Sequence, residues 1–241
     1  MPRSGQFGDA EDGFLPDLKR AVSEWVPAQT LIGGAPVSTA VLDEALRHAP
    51  RLIAVDSGAD TAIEAGRMPE AVIGDLDSVS AAARSALADR VTHIAEQDST
   101  DFAKALRSFP AGLTIAVGFT GARVDHFLAC LTELARSRGR CVLLDEVDCI
   151  CIAPAHLDLD LSRGTRVSLW PLDTVRGRSR GLHWPIDGIA MSPLTRVGTS
   201  NRATGPVSLT LEQGTVALIL PARALPILLE SLEMASRGGA A

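Results

Sequence analysis

The chain has 241 residues, of which 46% are hydrophobic and 22% are charged, and its formal net charge is −6 at pH 7. These values predict an ordinary soluble globule of one large or two smaller domains. The acidic balance, with no basic stripe, argues against a nucleic-acid partner, and no apolar run approaches the ~20 residues of a membrane span. The first residues lack the apolar core of a signal peptide, so we expect a cytoplasmic protein.

The cysteines are expected to be structural. Cys130, Cys141, Cys149 and Cys151 form no C-x-x-C pair, and each has apolar neighbours. This pattern predicts buried, reduced thiols rather than a metal or redox site.

The N-terminal half alternates between strand and helix patterns. Residues 1–15 are polar and are expected to be disordered, while Leu18, Val22 and Trp25 at helical spacing predict a short helix. Strands are predicted over residues 30–32, 51–55, 71–73, 91–94, 113–117 and 141–144. Helices are predicted over residues 38–48, 57–65, 80–88, 99–109 and 124–138. This alternation indicates a mostly parallel sheet that is covered on both faces.

Near residue 148 the pattern changes to short β-rich runs with turn glycines. Strands are predicted over 147–152, 166–170, 206–211 and 215–220, with a hairpin turn at 212–214 and a C-terminal helix over 226–236. We therefore predict an N-terminal extension (1–27), an α/β domain (28–147) and a smaller antiparallel β-sandwich-like domain that ends in a helix (148–241).

Two carboxylates follow the third predicted strand. Residues 71–78 read A-V-I-G-D-L-D-S, and in extended backbone Asp75 and Asp77 point to the same side. Carboxylates that face one point repel each other unless a cation lies between them, and Mg²⁺ prefers oxygen ligands. The alternative is a polar turn in which Asp77 or Ser78 caps the next helix.

Polar residues recur after other predicted strands. A helix cap explains Asp56 equally well, and Asp101 with Lys104 could form a mere surface pair. Caps do not explain why acids follow successive strands: Asp56, Asp75, Asp77, Asp98, Asp101 and Asp125. These acids would form one negatively charged rim at the edge of the sheet. Mg²⁺ bound to a polyphosphate would balance the charges of this rim, which favours phosphoryl or pyrophosphoryl transfer.

The segment 118–126, G-F-T-G-A-R-V-D-H, joins a predicted strand to the longest predicted helix. Its glycines, Gly118 and Gly121, and the helix N-terminus offer amide hydrogens to an anion. Arg123 can bind two phosphate oxygens at once, whereas Asp125 could simply favour the helix dipole. Neither a P-loop nor a G-x-G-x-x-G pattern is present, so we do not predict those nucleotide sites.

The order of these motifs resembles that of thiamine pyrophosphokinases. The motifs are G-D-L-D-S at 74–78, Q-D-S-T-D-F-A-K at 97–104, G-F-T-G-A-R-V-D-H at 118–126, G-L-H-W-P at 181–185 and G-T-S-N at 198–201. The resemblance implies an α/β catalytic domain, a β-sandwich-like thiamine-binding domain and a homodimer with sites between subunits. It also implies transfer of the terminal diphosphate of ATP to the hydroxyl of thiamine, with release of AMP and a requirement for Mg²⁺.

The same resemblance implies residue roles. The expected catalytic residues are Asp75, Asp77, Asp98, Asp101, Arg123 and Asp125, and the expected Mg²⁺ ligands are Asp75, Asp77 and Asp101. ATP would contact Asp56, Ser78, Lys104, Gly118, Gly121 and Arg123. Thiamine would contact Gln97, Trp184, Ser200 and Asn201, with Trp184 packed on its rings.

The resemblance leaves alternatives open. Ala122 stands where bacterial members often have glycine, and alanine disfavours a positive φ, so the phosphate loop could be reshaped. Without the resemblance, Trp184 could be a core aromatic residue, and residues 198–201 an ordinary polar turn. The rival functions are a non-catalytic nucleotide- or thiamine-binding module and a Mg²⁺-dependent phosphatase.

Overall fold

The computed structural model describes residues 27–74, 79–92, 99–137 and 140–238. The predicted disordered segment and the predicted helix at Leu18–Trp25 lie outside these ranges. The described chain begins with β1 (Gln29–Ile32), α1 (Thr39–His48), β2 (Arg51–Val55), α2 (Gly58–Glu64), β3 (Ala71–Ile73) and α3 (Ala81–Ala86). It continues with β4 (Val91–Thr92), α4 (Asp101–Ser108), β5 (Thr114–Val117), α5 (Val124–Ser137) and β6 (Cys141–Leu144). The alternation predicted from the sequence is confirmed.

Hydroxyl side chains fix the starts of three helices. Ser38, Ser80 and Thr100 precede α1, α3 and α4, and each side-chain oxygen accepts a hydrogen bond from the amide three residues on, at 3.4, 3.1 and 3.1 Å. Such caps satisfy an amide that the helix itself leaves unpaired. The Thr100 cap fixes the start of α4 at Asp101.

The first six strands form a parallel sheet in the order β4-β3-β2-β1-β5-β6. Apolar residues of α1, α2 and α3 cover one face, and those of α4 and α5 cover the other. The chain order reverses between β1 and β5. In open α/β sheets, ligands bind at this switch point, beyond the carboxyl ends of the strands.

The second half is antiparallel and continues the same sheet. Its elements are β7 (Asp148–Ile152), β8 (His156–Leu159), β9 (Arg166–Pro171), β10 (Arg176–Leu182), β11 (Gly198–Gln213), β12 (Val216–Pro221) and α6 (Leu225–Gly238). β7 pairs with β6, and the order then runs β7-β12-β9-β11. The later part of β11 pairs with β8 and β10 and forms a second layer. The predicted domain boundary between residues 147 and 148 stays a prediction. Main-chain hydrogen bonds between β6 and β7 cross this boundary, so both predicted domains share one sheet.

Four details of this half differ from the prediction. β8, β10 and the first part of β11 were not expected, and the hairpin predicted at 212–214 is wrong. Gln213 pairs with Arg176 and Val216 pairs with Pro171, so the turn carries the chain from one layer to the other. β10 reads R-G-R-S-R-G-L, and its glycines replace inward side chains: a Cβ on Gly177 would lie 2.5 Å from the Thr210 carbonyl oxygen. The strand therefore lacks the alternation of apolar residues that marks most half-buried strands.

The burial predicted for the cysteines is confirmed. All four cysteines are buried and free, and burial raises the pKa of the Cys130 thiol to about 11, so it is neutral near pH 7. In the described part of the chain, no helix is both long and apolar enough to cross a membrane.

Candidate functional site

A cavity of about 510 Å³ opens at the switch point. It is bounded by the loops that follow β1, β2 and β5 and by the first turns of α4 and α5. Its polar or charged lining residues include Asp56, Ser57, Thr100, Asp101, Arg123 and His126, and its apolar wall includes Val55, Phe102, Phe119, Ala129 and Cys130. The structure thus brings together Asp56, Gly118 and Arg123, which were predicted to contact ATP, and Asp101, which was predicted to bind Mg²⁺.

The loops after β1 and β5 touch through their backbones. Gly118 has φ 73°, and a Cβ there would lie 2.5 Å from the Gly33 carbonyl oxygen. Conversely, a Cβ on Gly33 would lie 2.6 Å from the Gly118 carbonyl oxygen. Only glycine fits such an approach without displacing the neighbouring strand end. Gly118 therefore shapes the cavity floor, and its predicted contact with ATP stays a prediction.

The rest of the 118–126 loop is less constrained. Gly121 has φ 79°, but no atom lies within 4 Å of a Cβ built on it. Among the described residues other than glycine, those with positive φ are Asp56 and Ser200. Ala122 therefore does not need the conformation that alanine disfavours, and its methyl group does not conflict with the loop's backbone.

Asp56 lies at the cavity in a left-handed conformation. Its φ is 50°, and its amide donates to the Ile73 carbonyl at 2.7 Å, which ties the end of β2 to the end of β3. Aspartate is among the residues that adopt this conformation most readily. Behind it, a Cβ on Gly58 would lie 2.1 Å from the Ile32 carbonyl oxygen, so α2 starts in close contact with β1.

Asp101 and Lys104 form an ion pair at the start of α4. The Lys104 Nζ donates to Asp101 Oδ1 at 3.0 Å, and the lysine side chain is only 10% exposed. Asp101 lines the cavity, whereas Lys104 does not. The spacing allowed a mere surface pair, but the pair that forms is buried on the lysine side. Lys104 is thus placed to hold the Asp101 carboxylate, and its predicted contact with ATP stays a prediction.

Arg123 and Asp125 face each other at the start of α5. Arg123 Nε and Nη2 donate to the two carboxylate oxygens at 3.2 and 2.6 Å. This pairing lowers the pKa of the Asp125 carboxyl and raises the pKa of the Arg123 guanidinium. Both side chains are exposed, so the N–H groups of Arg123 that do not bond Asp125 remain accessible to an anion.

Five predicted site residues lie outside the described ranges: Asp75, Asp77, Ser78, Gln97 and Asp98. Within the described ranges, no group of three or more His, Cys, Asp or Glu side chains could hold a metal ion. The carboxylates of Asp56 and Asp101 do line the cavity, and such oxygen donors are the kind that Mg²⁺ prefers. The donor chemistry of the cavity therefore fits Mg²⁺.

Sequence reasoning gave no role to several cavity residues. Phe102 and Phe119 are in contact, with ring centroids 4.7 Å apart, and His126 and Cys130 lie on one side of α5. His126 and Cys130 are four positions apart, which puts them on one helix face, so the helical spacing could have indicated both.

The predicted thiamine residues form a separate cluster between β10 and β11. Asn201 is buried, and its side chain makes two hydrogen bonds to the backbone of Trp184. Asn201 Oδ1 accepts from the Trp184 amide at 3.1 Å, and Nδ2 donates to the Trp184 carbonyl at 2.7 Å. Trp184 is 55% exposed, which excludes the core alternative. Arg202, which the sequence reasoning missed, places its guanidinium carbon 5.6 Å from the ring centroid of Trp184.

Ser200 has φ 59°, and its amide donates to the Ser168 hydroxyl at 3.1 Å. It lies at a register shift between β11 and β9. Asn201, the next residue, bonds to Trp184, and residues 198–201 lie in β11 rather than in an ordinary turn.

The two clusters lie far apart within one chain. From β11 to β5 the sheet crosses β9, β12, β7 and β6. At about 4.8 Å for each step between strands, the separation is roughly 24 Å.

Comparisons with known proteins agree with this architecture. Residues 42–143 match the family model "Thiamin pyrophosphokinase, catalytic domain". The structure of thiamine pyrophosphokinase from Bacillus subtilis is similar with a TM-score of 0.69 at 22% identity, covering 80% of this chain and 98% of that one. The Candida albicans enzyme has a TM-score of 0.69 at 16% identity, covering 83% and 90% of the two chains. No curated protein matches the sequence.

At these identities, the solved structures show a shared mixed α/β fold. The family model adds a match of sequence pattern over the segment that contains most of the cavity. The described chain therefore shares its fold with solved thiamine pyrophosphokinases, and residues 42–143 carry the sequence pattern of their catalytic domain.

Proposed function

We propose that this protein is a thiamine pyrophosphokinase that uses ATP as the diphosphate donor. The thiamine hydroxyl oxygen would form a bond to the β-phosphorus of ATP. The bond from that phosphorus to the oxygen that bridges the α- and β-phosphates would break, its electron pair would leave with AMP, and the hydroxyl would lose its proton. Such transfers depend mainly on positioning and on charge neutralisation.

The residues of the cavity would share these tasks. The Arg123 fork would bind two phosphate oxygens, and Asp125 would keep the fork oriented. The N-terminus of α5 and the loop at Gly118 and Gly121 would offer amide hydrogens to the polyphosphate. In the second cluster, Trp184 would stack on the rings of thiamine and Ser200 would hydrogen-bond to it, while Asn201 positions Trp184.

Asp101, with Asp75 and Asp77, would hold Mg²⁺, which when bound neutralises the charge of the polyphosphate. Asp98 would extend the acidic rim, Asp56 would contact the nucleotide together with Ser78, and Gln97 would contact thiamine. Lys104 would act on ATP through Asp101, given its burial beside that carboxylate.

One observation carries the proposal. The cavity at the switch point combines a glycine-framed backbone, carboxylates and an accessible arginine, and residues 42–143 match a thiamine pyrophosphokinase catalytic domain. Incubation with Mg·ATP and thiamine, followed by identification of both products, tests it. Equimolar AMP and thiamine diphosphate support the proposal. Thiamine binding without AMP would favour a binding module, and orthophosphate release without thiamine diphosphate would favour a phosphatase.

Replacing Arg123 by lysine is expected to lower turnover more than tenfold while thiamine binding is retained. Lysine keeps the positive charge but loses the planar fork that matches two oxygens. The matched control is Arg136→Lys, on the same helix, where Arg136 pairs with Glu133 at the surface. Steady-state kinetics of both variants would test this expectation. Full activity of Arg123→Lys would show that Arg123 contributes only its positive charge and not its planar geometry.

Replacing Trp184 by alanine is expected to raise the KM for thiamine roughly tenfold, with the affinity for Mg·ATP nearly unchanged. The ring can supply stacking and a cation–π contribution of ~0.5–2 kcal/mol to the thiazolium. Because the side chain is 55% exposed, its removal should change the melting temperature little. Trp184→Phe keeps an aromatic face and should restore most of the affinity. An unstable variant that binds thiamine normally would remove Trp184 from the site.

A further inference from the structure

A cavity of about 400 Å³ lies between the segment that joins β8 to β9 and the start of α6. We call it the arginine pocket. Among the described residues that line it, two are arginines and none is an aspartate or a glutamate. Its lining is therefore positively charged, although the whole chain has a net charge of −6. The lining includes Leu161, Ser162, Arg163, Thr165, Arg223 and Ile227.

Main-chain hydrogen bonds fix the turn that carries Arg163. The Thr165 amide donates to the Ser162 carbonyl at 3.1 Å, which closes the turn. The Gly164 amide donates to the Ala203 carbonyl at 2.8 Å, and the Ala203 amide donates to the Thr165 carbonyl at 2.8 Å. These two bonds attach the turn to β11, so the backbone of Arg163 is held in place beside the pocket.

Arg223 approaches the pocket from a second fixed segment. It lies in the single-turn 3₁₀ helix Ala222–Ala224, in which the Ala222 amide donates to the Val147 carbonyl at 2.9 Å. The residue that follows Arg223 is buried. The first turn of α6 comes next, with Ile227 at the pocket, and the positive end of a helix dipole favours an anion.

The two arginines lack a partner within the described part of the chain. No described residue forms an ion pair or a hydrogen bond with the guanidinium of Arg163 or of Arg223, whereas the exposed Arg67 pairs with a carboxylate. Two like charges that line one small space repel each other, and an anion between them removes that repulsion. The hydroxyls of Ser162 and Thr165 belong to the same lining and can donate to the same anion.

We propose that the arginine pocket is a binding site for the phosphate group of a small molecule. A guanidinium presents parallel N–H groups that match two phosphate oxygens, and two guanidiniums together balance the charge of a phosphate dianion. The volume of the pocket lies within the range of small-molecule sites. No described residue lines both this pocket and the cavity at the switch point, so the proposal does not depend on the proposed function.

Titration calorimetry of the full chain tests the site, with inorganic phosphate, methyl phosphate and acetate as probes. Both phosphates should bind, and acetate should bind at least tenfold more weakly because it offers fewer oxygens and a single charge. Arg163→Gln and Arg223→Gln should each weaken phosphate binding about tenfold, as expected for the loss of a charged hydrogen-bond donor. Both side chains are exposed, so the melting temperature should hardly change.

Two further variants serve as controls. Arg176 is likewise exposed and has no ion-pair partner among the described residues, but it lies outside the pocket, so Arg176→Gln should bind phosphate like the wild type. Arg123→Gln should also retain this binding, because Arg123 belongs to the cavity at the switch point.

The two phosphate probes distinguish the sources of the ligand. Tighter binding of methyl phosphate would indicate an organic phosphate, and tighter binding of inorganic phosphate would indicate the free ion; either result supports the site. Lack of phosphate binding at millimolar concentration would overturn the proposal, as would equal binding of acetate. Undiminished binding by the Arg163→Gln, Arg223→Gln double variant would also overturn it, and so would an equal loss in Arg176→Gln, which would reduce the effect to net charge.

Discussion

Replacing Gly118 by alanine is expected to lower the free energy of unfolding by about 2–5 kcal/mol. The left-handed conformation at φ 73° costs an alanine about 1–2 kcal/mol. Its methyl group would also lie 2.5 Å from the Gly33 carbonyl oxygen, and forced displacement of a packed neighbour costs about 1–3 kcal/mol. Because Gly33 is in the loop that lines the cavity, activity should fall as well.

The same loop provides a control. Gly121 has φ 79°, but a Cβ there meets no atom within 4 Å. Gly121→Ala should therefore cost only the conformational part, about 1–2 kcal/mol. Urea unfolding of the two variants separates the effects. Equal losses would show that the contact between the loops after β1 and β5 does not constrain Gly118.

Replacing Asp77 by asparagine is expected to reduce turnover by about 100-fold or more, since loss of a preorganised charge has effects of that size. The expectation comes from the paired acids of G-D-L-D-S, which lie outside the described residues. The free energy of unfolding should be unchanged or slightly higher in metal-free protein, because one of two neighbouring negative charges is removed.

Asp89→Asn removes an exposed carboxylate that has no assigned role and should leave turnover unchanged. Initial rates at saturating Mg²⁺ test both variants. If the Asp77 variant keeps nearly wild-type turnover under these conditions, Asp77 does not belong to the metal site.

The parallel half could be predicted closely because its signals are local. β2, β3 and β6 have the boundaries that were predicted, since each is a short apolar run between turn residues and is buried on both faces. The position of Asp56 at a strand end and the Asp101–Lys104 pair also follow from local spacing. The cavity itself follows from these strand ends together with the chain reversal between β1 and β5.

The antiparallel half was harder to predict because its structure depends on contacts between distant segments. β10 has arginines on its exposed side and glycines where the β11 backbone approaches, so no hydrophobic pattern marks it. The fixing of Trp184 by Asn201 depends on a register shift in β11. The separation of Trp184 from Arg123 follows from strand order, which motif order along the chain does not reveal.

The junction between β6 and β7 has a mechanical consequence. Val142, Leu143 and Leu144 pair with Cys151, Ile150 and Cys149 in the middle of the sheet. A hinge at this point would have to break these buried main-chain hydrogen bonds, so the junction opposes rotation of one half against the other. Enzymes that close two lobes over their substrates need a flexible connection between those lobes. Under the proposed function, exclusion of water from the cavity would therefore be a task of the loops after β1, β2 and β5, which line it.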